Sequence, residues 1–202
     1  MIHWAGAPWL VEELKTVGIH SKFVPLPLKL LNTASEIGLS LPQNFTIMSY
    51  IPDTRPDFYG VEHIIHLAKD FPEIQFLIVG GKGSYIKDKP SNVRFLGWVN
   101  NIKEIFLKAT VVIRLTKHDG YGGTIQEALS LGRHAIWSYP FPGVFQASDY
   151  FALKDHIKHL LELHYKGQLK LNIQGQEYVR QHMNPKLLAE EIRKNLINVL
   201  DK

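Results

Sequence analysis

Five short apolar runs, each followed by a turn and then by apolar residues at helical spacing, constrain the fold of this chain more than any other feature. FTIMSYI (45–51), IQFLIVGG (74–81), NVRFLGWV (92–99), TVVIRL (110–115) and HAIW (134–137) are short enough to be buried strands. Between them, Val61, Ile64, Ile65 and Ala68 recur at helical spacing, as do Ile102, Ile105, Phe106 and Ala109, and then Ile125, Ala128 and Leu129. Continuous apolar strands alternating with amphipathic helices imply an α/β fold, a parallel sheet with helices on both faces. Ligands of such sheets bind beyond the carboxyl ends of the strands. After Gly143 the pattern becomes largely helical, over roughly 153–165, 168–182 and a last helix from Pro185. Leu188, Ile192, Leu196 and Val199 mark one face of that last helix.

The first 44 residues have a different character. Trp9 to Val17 reads as a short helix ended by Gly18, and Phe23-Val24 as a brief extended piece before Pro25 and Pro27. The stretch to Asn44 has no period and reads as a connector. At 202 residues the chain has room for one substantial core plus additions.

Composition removes several function classes. No cysteine is present, which excludes disulfide scaffolds, thiolate metal sites and cysteine nucleophiles. The net charge of +4 comes from scattered basic residues and reads as a solvated surface, with no nucleic-acid partner implied. No apolar run approaches the ~20 residues of a membrane helix, and the amino terminus has no signal-peptide pattern, so a cytoplasmic location is expected. Gly81-Lys82-Gly83 follows a strand, but Ile86 stands where a dinucleotide fingerprint needs its third glycine. A P-loop and a G-x-S-x-G elbow are both missing. His63/His66 and His156/His159 have a spacing that can share a metal, yet neither pair has an evident third ligand, so they read as solvated surface histidines.

The most informative stretch is Lys117-His118-Asp119-Gly120-Tyr121-Gly122-Gly123-Thr124-Ile125-Gln126-Glu127-Ala128-Leu129. It leaves a strand, turns through three glycines and enters a helix. Glycines let the backbone approach a ligand closely, and the free N–H groups of the first helical turn would face that ligand with the helix dipole favouring an anion such as a diphosphate. Glu127, about one turn into the helix, can accept hydrogen bonds from vicinal sugar hydroxyls, and Asp119 can reach a second polyhydroxylated group. On residues alone, the alternative is a tight strand-to-helix turn with Glu127 merely solvated or capping.

The frame D-G-Y-G-G-T-I-Q-E-A (119–128) resembles the Glu-x7-Glu element of the family 4 retaining glycosyltransferases, which have the GT-B fold of two Rossmann-like domains. FLIVGGKG (76–83), NVRFLGWVNNIKEIF (92–106), ATVVIRLTKHDG (109–120) and LSLGRHAIW (129–137) follow in that family's order, so the resemblance spans roughly 45–182. It implies a nucleotide-diphosphate sugar donor as substrate, retaining hexosyl transfer to a glycan or lipid-linked acceptor, no cofactor and independence from metal, and a setting such as polysaccharide or lipid-linked glycan synthesis. Peripheral association with a membrane is compatible with it. By resemblance, Glu127 binds the ribose, and Asp119 lies near the donor sugar and phosphates. The amides of Gly122, Gly123 and Thr124 hold the diphosphate or sugar, and the loop from Arg94 through Gly97 to Trp98 meets the base, with Trp98 read either as a stacking surface or as a core tryptophan.

The family's first loop carries an Arg and a Lys-Gly pair; here Tyr59 takes the lysine place before Gly60, leaving Arg55 as the leading phosphate contact with help from Lys117 or Lys82. The expected organisation is 1–44 as the end of an N-terminal domain and linker, 45–182 as the nucleotide-sugar-binding domain, and 183–202 as a helix crossing back. Forty-four residues cannot form the acceptor domain, so the chain reads as truncated, binding donor without turnover. The other reading is a non-catalytic nucleotide-sugar-binding or interaction module.

Overall fold

The computed structural model describes residues 3–25 and 40–200. The chain opens on a small unit of β1 (His3–Ala5), α1 (Pro8–Thr16) and β2 (Ser21–Phe23), whose two strands pair in parallel. The body follows: β3 (Thr46–Tyr50), a 3-10 turn (Pro56–Tyr59), α2 (Val61–Asp70), β4 (Gln75–Val79), β5 (Val93–Phe95), α3 (Ile102–Lys108), β6 (Val111–Arg114), α4 (Gly123–Ser130) and β7 (His134–Trp137). It closes with β8 (Val144–Gln146), α5 (Tyr150–Tyr165), α6 (Ile173–His182) and α7 (Pro185–Leu200). Residues 26–39 of the expected connector, which runs to Asn44, lie outside the described residues, as does the side chain of Val199.

All six strands of the main sheet are parallel, in the order β5-β4-β3-β6-β7-β8. The alternation that reads as a Rossmann-like fold therefore closes as such. One face packs Ile47, Ile51, Ile78, Ile113 and Ile136 against α2 and α5 through Ile64, Leu67, Leu153 and Ile157. The other packs Met48, Val79, Val112, Ala135 and Trp137 against α3, α4 and α6 through Phe106, Ile125, Leu129 and Val179. Each of the fully buried aliphatic side chains contributes about 1.5–3 kcal/mol on leaving water, which is why apolar runs on both pleat faces were needed here.

The helix expected over 168–182 begins only at Ile173, β1 has no counterpart in the sequence pattern, and two strands of the main sheet also differ. β8 falls in a region that reads as helical, because three residues are too few to show a period, and it joins only the outer edge of β7. The run 92–99 yields only three strand residues, because Gly97 takes φ 64 and ends it.

The strand order reverses between β3 and β6. Chain connections run outward from β3 through β4 to β5, then return across and run outward from β6 to β8. The connection after β3 leads to α2 on one face and the connection after β6 to α4 on the other, which makes the β3–β6 carboxyl edge the switch point where open parallel sheets bind ligands. The amino-terminal unit covers one side of it. Trp9 of α1 stacks on Tyr139 (4.3 Å between centroids, 24° between planes) and donates its indole N–H to the Asp119 carbonyl at 2.8 Å. His118 and Glu13 pair at 2.8 Å, and Lys22 donates to Asn195 of α7 at 2.6 Å.

Candidate functional site

Gly122 sets the geometry of this edge. It holds φ 57 and ψ 53 as the residue before α4, and a β-carbon there would lie 2.5 Å from the Trp137 ring. Only glycine lets the loop lie flat on Trp137 in this left-handed conformation, which brings the start of α4 down onto the carboxyl edge of the sheet. α5 and α6 are capped by the side chains of Asp149 and Asn172, whereas no side chain caps α4. Ile125 and Gln126 donate to the Gly122 carbonyl; the N–H groups of Gly123 and Thr124 have no acceptor among the described residues. The Gln126 side chain donates to the Tyr121 carbonyl and steadies the turn. The result is an open positive helix end.

Beside it lies a cavity of about 340 Å³, with Met48, Tyr50 and Val79 from the strand ends, Gly80, and Ile102 and Phe106 of α3 as its walls. Thr124 and Glu127, three residues apart on α4, face it together, and Trp98, Val99 and Asn100 form its outer lip. The Glu127 carboxylate is partly buried and has no hydrogen-bond partner among the described residues. Burial pushes its carboxyl above the ordinary range. An acceptor held without a donor, in a mostly apolar slot, is suited to neutral hydroxyls supplied by a ligand.

Asp119 is placed differently from the sequence expectation. Its side chain is buried, and Arg114 binds it through both Nε (2.5 Å) and Nη2 (2.9 Å). Thr116 Oγ1 donates at 3.2 Å and Trp137 Nε1 at 3.1 Å. Burial would raise its carboxyl, but the Arg114 contacts, with Trp137 and Thr116, outweigh that and leave it below the usual carboxylate range. Asp119 thus anchors an internal network. Sequence reasoning missed Arg114 and Trp137; the available signal was a single charged residue closing the apolar run VVIR five positions before Asp119. Tyr59, in the lysine place, packs edge-on to Tyr50 (5.6 Å), and the Arg114 guanidinium lies over its ring at 5.6 Å.

The remaining candidates divide. Trp98 lines the pocket and is 81% exposed, so it is not a core tryptophan. Gly97 commits both polar backbone groups to Gly80 and Gly81, tying the β4 and β5 ends together. Lys117 is exposed, its N–H bonded to the Phe58 carbonyl at 3.1 Å, and Arg55, at φ 71, lays its guanidinium over Phe58 at 4.7 Å. Arg94 is not brought to the site. It belongs to β5 rather than to a loop, pairs in register with Leu77, and lines a second groove at the amino edge with Thr46, Gln75 and Lys108. In the Gly81-Lys82-Gly83 turn the amides of Lys82 and Gly83 grip the Asp53 carboxylate at 2.9–3.0 Å. That turn therefore joins two loops of the chain itself and is closed to a phosphate. Among the described residues no cluster of three metal-binding side chains occurs, and no helix is long and apolar enough to cross a membrane.

The carboxyl edge of the parallel sheet thus brings together a cavity, an uncapped helix end and an acidic side chain without a partner among the described residues. Residues 58–150, from the 3-10 turn to the start of α5, match the family described as glycosyl transferases group 1. Over 93 residues the chain is 28% identical to a UDP-N-acetylglucosamine–N-acetylmuramyl-(pentapeptide) pyrophosphoryl-undecaprenol N-acetylglucosamine transferase of Sulfurihydrogenibium, covering 46% of this chain and 25% of that protein. Sucrose-phosphate synthase from Thermosynechococcus elongatus superposes with a TM-score of 0.75 at 15% identity, over 99% of this chain and 58% of that one. Anabaena HepE, solved with UDP-glucose, superposes at 0.77 and 14% identity, over 96% of this chain and 63% of that one. The Rossmann-like fold is shared with these GT-B glycosyltransferases. The chain spans a quarter of the curated relative and about three-fifths of these two structural neighbours.

Proposed function

We propose that this chain binds the nucleotide-diphosphate sugar donor of a group 1, family 4 type retaining glycosyltransferase. The unpaired Glu127 carboxylate inside the switch-point cavity carries the reading. A ribose placed there supplies the missing donors through its two hydroxyls, and the diphosphate then meets the free amides of Gly123 and Thr124 one turn earlier on the same helix. The exposed Trp98 at the lip offers a stacking surface for the base. Group 1 similarity over 58–150 and the UDP-glucose complex of HepE support the ligand class.

Transfer of the hexosyl group proceeds by same-face displacement. The bond from the sugar to the diphosphate breaks as the bond to the acceptor hydroxyl forms, and the helix end stabilises the charge that develops on the leaving diphosphate. No protein nucleophile and no metal takes part. The acceptor, a glycan or lipid-linked sugar, is held by a separate domain, and the reaction is placed in the cytoplasm. This chain by itself binds donor and does not turn over. One observation favours a non-catalytic binding module instead: the acidic position nearest the donor sugar, Asp119, is already bonded by Arg114, Thr116 and Trp137.

Titration with UDP, GDP and ADP by calorimetry tests the reading. One nucleotide binds, and Glu127→Ala weakens it by about 1–3 kcal/mol through loss of hydrogen bonds to a charged acceptor. Absence of binding at millimolar nucleotide sinks the proposal. Sugar release from the conjugate in the presence of an acceptor domain separates the enzyme from the binding module.

A further inference from the structure

We propose that Arg114 is the cation of this site, standing in for the lysine that Tyr59 replaces, and that it binds the donor diphosphate through its distal guanidinium edge. The proposal deepens the donor-binding reading and rests on it.

Three observations converge. Arg114 closes β6 at the switch point. Ser49 pairs in register with Ile113 and Arg114 with Trp137, so one step further along the ladder Arg114 lies between Tyr50 and Trp137. Tyr50 is a wall of the Glu127 cavity and Trp137 is the surface on which Gly122 lays the start of α4. On the ladder Arg114 thus stands between a wall residue of the cavity and the ring beneath the helix start, although it is not itself one of the residues lining the cavity.

Its hydrogen bonding is half spent. A guanidinium carries five N–H donors in a rigid fork. Asp119 takes the Nε–Nη2 edge, and the remaining donors, on Nη1 and the outer side of Nη2, have no acceptor among the described residues. Nη1, which has no partner among the described residues, is not among the buried unsatisfied atoms, so it faces accessible space. A fork with one edge fixed on a carboxylate and the other open is oriented for bidentate contact with a phosphate.

Tyr59 then has a role of its own. The lysine expected there would repel a neighbouring guanidinium; an aromatic ring attracts it, and the ring lies 5.6 Å under Arg114. Tyr59 and Asp119 are positioning residues for Arg114. The site's positive charge is relocated from the 3-10 turn to the end of β6, and none of the three roles is visible from any one segment alone.

The test compares UDP with uridine, which keeps base and ribose and lacks the diphosphate, for the wild-type chain, Arg114→Met, Glu127→Ala and the double variant Arg114→Met/Tyr59→Lys. The proposal expects Arg114→Met to lose at least tenfold in UDP affinity while uridine affinity, read by ligand-observed NMR, stays within about twofold, and the double variant to regain most of the loss. Retained uridine binding shows that the pocket is folded. Equal loss for UDP and uridine makes Arg114 merely structural and overturns the proposal. Unchanged UDP binding in Arg114→Met, with Glu127→Ala still weakening it, overturns this inference and leaves the donor-site reading standing. Failure of the wild-type chain to bind UDP, GDP or ADP overturns both.

Discussion

Replacing Asp119 by Asn removes a charge from a buried polar network. The Asp119 side chain is 7% exposed and that of Arg114 14%, with two charge-assisted bonds between them and two further donors on the carboxylate. Breaking a buried pair from one side costs about 3–5 kcal/mol, because the partner charge stays behind uncompensated. The open edge of Arg114 still reaches solvent, so the lower end, about 3 kcal/mol, applies. For a domain of this size that corresponds to a fall of about 6–12 °C in Tm. Urea and thermal unfolding, followed by tryptophan fluorescence and circular dichroism, measure it at pH 7. Asp119→Leu/Arg114→Met removes both charges and recovers most of the loss, giving a coupling energy of about 2 kcal/mol or more. The pH dependence has a definite sign. Asp119 is depressed in the folded chain from 3.8, so its stabilisation is present above that value and is lost as the pH falls through the folded pKa. Wild type and Asp119→Asn therefore converge at the acid end. A loss below about 1 kcal/mol at pH 7, or additivity of the two single losses, would refute the argument.

Glu127 behaves in the opposite sense. Burial raises its carboxyl from 4.5, so the folded chain loses stability as the pH rises from that value through the folded pKa. Glu127→Gln should consequently be more stable than wild type at pH 7 and equal to it near pH 4, while binding nucleotide more weakly; thermal scans at both pH values decide it. Gly122→Ala forces a β-carbon into the Trp137 ring at a left-handed φ, and should cost about 2 kcal/mol or more together with nucleotide binding. Circular-dichroism melts and calorimetry would show either being spared. Trp98→Ala should leave Tm unchanged within about 0.5 kcal/mol of stability, since the ring is exposed, yet reduce affinity for the nucleoside by about 1–3 kcal/mol through lost stacking. An unchanged nucleoside affinity removes Trp98 from the site.

The central strands β3, β4, β6 and β7 were legible because they bury both pleat faces, so an apolar run is the pattern they carry. Helix α4 and its glycine turn were legible for the same local reason, since Gly122 meets a requirement of its own φ. β8 was not, being three residues at an edge. Arg94 was misplaced by treating 94–98 as a loop; strand alternation turns its side chain with Leu77 toward the amino-edge groove. The role of Asp119 was hidden in a different way. Its spacing to Glu127 is local, but what occupies its carboxylate depends on Arg114 and Trp137, brought beside it by strand register. The docking of Trp9, 110 residues away in sequence from the carbonyl it bonds, depends on tertiary packing in the same way. Pattern reading finds segments that satisfy their own backbone, and it loses side chains whose partners come from another strand.

The most direct test of the account is a crystal structure of the chain soaked with the nucleoside diphosphate that binds best in solution. The account predicts the ribose within hydrogen-bond reach of the Glu127 carboxylate, the diphosphate on the amides of Gly123 and Thr124, and the base against Trp98. Density for the nucleotide in the amino-edge groove beside Arg94 and Lys108, with the Glu127 cavity left empty, would contradict it.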